Sequence, residues 1–486
     1  MLNSKEKLLQ NESEISTDPE KSSYFEYRNF KENAEDNNGE NRKIPEFQKL
    51  SFSGTTITII KTIIGIGIFD ISYVLKILGF YYFIFFISIG FTFTLFSVNF
   101  LLKCKDITKR YSYSIYSRIS LGFKGIFLVK FFMIFGSFFD CVIYFKIFGN
   151  IMKILILIFI NKEEKKVFYL NEKFYIFLIF IILIPLIFRK NLSSFEKFSF
   201  FGFFSIITFI ISVIIIFAFK ITNNELKMSI FYQILLPNKK YNFFHKFAAV
   251  QSLFLSFSFT FNLFPLYLSL KKRSTKLMMK STFFALIITT FIYFFTAIFG
   301  CLMYNEDLND ILIIYFKNDI IKYFQNNKII LSAILIICEI TLFVNAVFSL
   351  PLLFFPLKNN MFNIILLVKN HFNNNENINN ENIKIDNNIN NNDNNEEIET
   401  SQNKNLITFL TYISVLIFAL FMKKNLFIEN IIGSTANNFI SFIFPSFFLI
   451  KIDKKNEFKF LKILSFLTFF FGISTLIFFI YLQIFN

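Results

Sequence analysis

A chain of 486 residues with 54% hydrophobic and only 17% charged side chains, its apolar residues gathered into long runs, is neither a soluble globular domain nor a disordered one. It reads as a polytopic membrane protein. The net charge of +16 sits in lysines at the ends of the runs, where it anchors and orients spans and does not indicate a nucleic-acid partner.

Residues 1–49 are rich in Glu, Asn, Lys and Ser and have no apolar h-region, which predicts a disordered cytosolic tail and no signal peptide. Apolar runs follow near residues 54–78, 80–102, 125–149, 174–188, 199–219, 247–270, 281–303, 328–356, 406–422, 431–451 and 459–484, so about 11 transmembrane helices are expected. The third run continues through Ile151 to Ile160, which predicts a longer, tilted span. Spans one to eight occupy 50–358, residues 359–405 form an Asn-rich low-complexity loop with no means of building a core, and spans nine to eleven occupy 406–486. Phe supplies 78 residues and Trp none; this looks like the codon bias of an AT-rich genome and leaves single phenylalanines uninformative. Cys104, Cys141, Cys301 and Cys338 have no paired spacing, so neither a disulfide framework nor a metal cluster is indicated.

Lys and Arg gather in short loops on the cytosolic side. The loop after span two holds Lys103, Lys105, Lys109, Arg110, Arg118 and Lys124, and that after span six holds Lys271, Lys272, Arg273, Lys276 and Lys280. The loop after span seven instead carries Glu306, Asp307, Asp310 and Asp319. The N-terminus is therefore expected in the cytosol and the C-terminus outside or in a lumen.

The first run is interrupted by Gly65-Ile66-Gly67, with Lys61 before and Asp70 after. Backbone can unwind at membrane depth only where protein or a wet cavity supplies partners, and glycine makes unwinding easy. A broken helix that binds a ligand is one reading; a close helix crossing at small residues is the other.

Several motifs then resemble those of the amino acid/auxin permease family, especially its vesicular and system A and N branch of neutral amino acid transporters. They are KTIIGIGIF from Lys61, PLIFRKNL from Pro185, FSFFG from Phe198 to Gly202, and SFTFNLFPLYLSLK from Ser258 to Lys271, the most specific. GCLMY from Gly300, PLLFFPLK from Pro351, and IGST from Ile432 with FPS from Phe444 follow in the family's order. The similarity runs from about Thr55 to Ile450 apart from the Asn-rich insertion.

The resemblance implies an all-α inverted-repeat fold of five plus five spans with one extra, in which discontinuous spans one and six form the substrate site. Ile64, Gly65, Ile66 and Gly67 would then offer backbone N–H groups to an α-carboxylate, helped by the positive end of the following half-helix. Ser256, Ser258, Thr260 and Asn262 would accept from an α-ammonium; without the resemblance this polar row would read as interhelical hydrogen bonding. The implied function is secondary active transport of amino acids, neutral ones first, proton-coupled or uncoupled, by alternating access, in the plasma membrane or a vacuolar or lysosome-like membrane. Partners are the amino acid and the bilayer, with no nucleic acid.

In the sodium-coupled branch an asparagine stands four residues before the first glycine of the break, and here that residue is Lys61. Its ammonium would repel sodium, and the proton-coupled branch carries lysine there too. Lys61 either replaces sodium structurally or exchanges a proton, so H+ is expected before Na+ as coupling ion, and no other cofactor. Unpaired charge at membrane depth is costly and usually functional, which adds Asp70, Asp140 and Glu339 to the coupling set, with Ser349 in span eight. Burial favours a neutral carboxyl and a nearby ammonium a charged one; Glu339, balanced between them, is the leading proton carrier. A pair of Lys61 with Asp70 or Glu339 that merely fixes packing, and an Asp70 facing the cationic side chain of lysine or arginine, stay open.

An enzyme has little support, since His245 and His371 lie at a loop edge and in the Asn-rich region, away from any deep general-base position. A channel has little either, as no filter-like segment or ring-forming charge is present.

Overall fold

The computed structural model describes residues 50–65, 67–160, 171–189, 196–223, 225–226, 229–304, 308, 312–325, 328–379, 393–422 and 430–485. Residues 1–49, most of the loop after span seven and the centre of the Asn-rich stretch lie outside them.

Helix α1 (Phe52–Ile64) opens on Ser51, whose side chain accepts the Gly54 N–H at 3.1 Å. Thr55, Thr56, Thr58 and Thr62 each return their hydroxyl to the carbonyl four residues back, at 2.8–2.9 Å, so a polar row can sit in an apolar helix. The helix stops at Gly65, and α2 (Gly67–Leu78) leaves at 54° to it. Gly79, at φ +76, then turns the chain into α3 (Phe80–Thr108). That turn needs glycine twice over, for its φ and because a Cβ would lie 2.6 Å from Leu236 O and Pro237 N.

After α4 (Tyr113–Leu121) comes α5 (Phe123–Ile160), one helix of 38 residues. Helix α6 (Glu172–Ile187) has only 16 residues, about 24 Å of rise against the ~30 Å of a hydrocarbon core. Helix α7 (Glu196–Thr222) and the short α8 (Ser229–Leu235) lead to the sixth run, which is split into α9 (Phe243–Leu255), a 3₁₀ turn at Thr260–Asn262 and α10 (Leu263–Ser269). Helices α11 (Thr275–Tyr304), α12 (Ile313–Gln325), α13 (Ile329–Asn379) and α14 (Asp393–Phe421) follow. The tenth run contains two π-helical stretches, Gly433–Asn437 and Phe439–Ile443, before α15 (Phe444–Ile452), and α16 (Lys459–Phe485) closes the chain.

Among the described residues nine helical stretches are long and apolar enough to span, the split sixth run and the tenth run each counted as one, and ten when α1 and α2 count as one bent span; α6 is the remaining apolar run. The protein is an all-α polytopic membrane protein. Its outward faces are apolar, as at Phe131, Phe201, Ile330 and Phe470, because lipid and not water is their solvent.

The expected loop at 359–405 is shorter than the composition suggests. Helix α13 runs past Pro351 and Pro356 to Asn379, and α14 begins at Asp393. The apolar stretch MFNIILLV from Met361 to Val368 continues the helix, and the surrounding asparagines disguise it.

Two contacts hold the ends of the bundle. At the basic end the segment entering α1 pairs with the segment leaving α10: the Leu50 N–H donates to Ser269 O at 2.8 Å and the Lys271 N–H to Leu50 O at 2.9 Å. At the opposite end α12 is tied to α7 by Lys220 Nζ and Asp319 Oδ2 at 2.5 Å, with Tyr304 Oη donating to the same carboxylate oxygen at 2.6 Å. Between these ends α13 lies against α5 and α7, α11 against α1 and α2, and α9 against α2, which brings both helix breaks to the middle of the bundle.

Candidate functional site

The breaks of the first and sixth spans face one another across a small cavity with a mixed polar and apolar lining. Its wall includes Thr62, Ile63, Gly65 and Gly67 from the first span, Ser252, Ser256 and Ser258 from the sixth, Asp70 from α2 and Asp140 from α5. A cavity of about 30 Å³ admits a water or two and no amino acid until the walls part.

Each break has a physical cause. Ending α1 at Gly65 and starting α2 at Gly67 frees carbonyls on one side and N–H groups on the other, and the positive end of α2 points at the gap. A Cβ on Gly65 would lie 2.8 Å from Tyr144 Oη, and one on Gly67 would strike the Ser256 side chain and lie 2.9 Å from Tyr293 Oη. Glycine therefore does two things here: it permits the break and admits neighbouring hydroxyls to its backbone.

Asp70 accepts from Ser252 Oγ at 2.6 Å, linking α2 to α9. Asp140 is 7% exposed, and its Oδ1 has no hydrogen-bond partner among the described residues. Ser256 donates to Ser252 O at 2.9 Å, while Ser258, less buried, lines the cavity directly. Ile64 is fully buried at the end of α1, and Ile66 lies outside the described residues.

Two members of the polar row turn elsewhere, because the 3₁₀ turn rotates them past the break. Thr260 Oγ1 reaches Ser441 Oγ at 3.4 Å, and the Asn262 amide donates to Leu352 O at 3.2 Å. Tyr144 and Tyr293, which sequence reasoning missed, stand beside the glycines instead.

Lys61 is fully buried beside this site, one turn before the break. Its ammonium donates to Asn345 O at 2.6 Å, to Asn345 Oδ1 and to Ser349 Oγ at 2.6 Å, so it joins α1 to α13. Room for its stem comes from Gly202 of α7, where a Cβ would lie 2.9 Å from Lys61 Cδ. Lys61 thus meets Ser349, and forms an ion pair with neither Asp70 nor Glu339. Glu339 is also fully buried in α13, with both carboxyl oxygens lacking a partner among the described residues, and it does not line the cavity.

The family model described as transmembrane amino acid transporter protein matches residues 48–485. The chain belongs to this family. It is an amino acid transmembrane transporter and an integral, multi-pass membrane protein. No curated protein matches the sequence significantly. In this transmembrane amino acid transporter the matched region includes both breaks, the cavity between them and the Lys61 cluster.

Proposed function

We propose that the protein carries neutral α-amino acids by alternating access, coupled to protons and not to sodium. The observation behind this reading is the cavity between two facing helix breaks, lined by Gly65, Gly67 and Asp70 of the first span and by Ser256 and Ser258 of the sixth. The α-carboxylate would take N–H groups at the Gly65–Gly67 break, and the α-ammonium would donate to the serines and Asp70. Since the cavity is closed to anything larger than water, loading requires the half-helices to move.

Lys61 supports the choice of coupling ion. Its ammonium already occupies an oxygen-lined position beside the break, provided by Asn345 and Ser349, and two cations would repel there. Asp140 is the proton site in this reading, because its buried Oδ1, without a hydrogen-bond partner among the described residues, belongs to a side chain that lines the same cavity as the substrate. Glu339 lies outside the cavity and would affect coupling only indirectly. The basic loops would face the cytosol, in a plasma or vacuole-like membrane.

A cationic substrate has one observation in its favour: Asp70 and Asp140 both line the cavity, one carboxylate more than a zwitterion needs. Uptake of labelled amino acids into proteoliposomes under a proton gradient, then a sodium gradient, tests both readings. Proton-stimulated uptake of neutral amino acids is expected. Stimulation by sodium alone would overturn the coupling, and uptake confined to lysine and arginine would overturn the substrate class.

A further inference from the structure

The two breaks release backbone carbonyls that an unbroken helix would have used. Ile63 O belongs to the last turn of α1, and Ser256 O follows the end of α9. Both meet one phenol. Tyr293 of α11, fully buried, donates from Oη toward Ile63 O at 2.8 Å and Ser256 O at 2.9 Å. Its ring stands edge-on to Phe257 with centroids 5.7 Å apart. Gly67 keeps clear the space beside the hydroxyl, since a Cβ there would lie 2.9 Å from it.

We propose that Tyr293 is the positioning residue that holds the breaks of the first and sixth spans together as one amino acid site, which rests on the reading that substrate binds at those breaks. A phenol has one hydrogen, and two acceptors lie within its reach. Donation goes to one carbonyl at a time and passes to the other by rotation about the C–O bond, with the ring unmoved. The staple can thus follow a small relative shift of the two spans during transport. The carbonyl left without the hydrogen remains on the cavity wall, because Ile63 and Ser256 both line it.

Tyr293→Phe keeps the ring and its contact with Phe257 and removes only the hydroxyl. The assay is uptake by the full-length chain in proteoliposomes, using whichever of the twenty labelled L-amino acids the wild type takes up fastest. KM is expected to rise about tenfold, equivalent to about 1.4 kcal/mol, with the maximal rate per folded transporter little changed. A role in folding alone would lower the amount of active protein and leave KM where it was, and an unchanged KM overturns the staple. Should the variant fail to reach the membrane, 2,3-difluorotyrosine placed at position 293 preserves the shape and strengthens the donor. KM is then expected to fall below the wild-type value, and a KM at or above it overturns the staple. Absence of wild-type uptake for all twenty amino acids would overturn the reading of the cavity and the staple with it.

Discussion

Replacing Gly67 by alanine tests whether the broken first span is a binding site or merely a close crossing. The added Cβ falls on the Ser256 side chain and 2.9 Å from Tyr293 Oη, whereas comfortable carbon contacts start near 3.5 Å. Neither neighbour is a freely swinging side-chain end: Ser256 is hydrogen-bonded to Ser252 O and the Tyr293 phenol is held between two carbonyls. The start of α2 must therefore withdraw by roughly 1 Å, at a cost of about 1–3 kcal/mol for overpacking. Gly122→Ala provides a control of similar stability cost. Gly122 caps α4 at φ +70 with nothing within 4 Å of its added Cβ, so alanine there adds about 1–3 kcal/mol of backbone strain and touches no part of the cavity. Thermal unfolding and proteoliposome uptake are measured on both. Both variants should unfold a few degrees earlier, and only Gly67→Ala should lose uptake, with KM raised tenfold or more. Wild-type KM in a folded Gly67→Ala variant would refute the argument, as would an equal loss of uptake in Gly122→Ala.

Lys61→Met removes the donor shared by Asn345 and Ser349. The acceptors left behind cost about 1–3 kcal/mol, but burial of an ammonium is relieved as well, so thermal stability should stay near wild type while uptake is lost; retained uptake would take Lys61 out of the coupling machinery. Asp140→Asn should abolish stimulation by an inward proton gradient and leave amino acid counterflow, whereas Glu339→Gln should keep the proton stimulation; the reverse pattern would return the proton to Glu339. Asp319→Asn breaks a largely buried ion pair with Lys220 and should destabilise the protein by about 3–5 kcal/mol, read as a lower unfolding temperature. Pairing Lys220→Met with Asp319→Leu should recover most of that loss, and no recovery would mean that the two side chains act independently.

The spans and the first break were legible because their signals are local. Long apolar runs define the helices, and two glycines flanked by Lys61 and Asp70 stand out inside one of them. Ser256 and Ser258 stand out as polar residues in an apolar run shortly before Pro265, but by themselves they read as interhelical hydrogen bonding, and only the family resemblance pointed them to a site. Asn345 was overlooked although its spacing was visible: it lies one helical turn before Ser349, and its backbone carbonyl and side-chain oxygen accept from the same ammonium. Tyr144 and Tyr293 had no such signal. They are two of 20 tyrosines, and their importance arises only where distant spans bring their hydroxyls to the glycines. The rotation of Thr260 and Asn262 away from the cavity depends on a three-residue 3₁₀ turn, whose exact placement leaves no mark in hydropathy. The extension of α13 was hidden by asparagines that dilute an otherwise continuous apolar stretch.

The pairing of Leu50 with the exit of α10 has a mechanical consequence. Two backbone hydrogen bonds yoke the entry of the first broken span to the exit of the sixth, so these half-helices swing as a unit or the yoke must open first. In the proposed alternating-access cycle, a pull on the backbone at Leu50 would reach both helices at once.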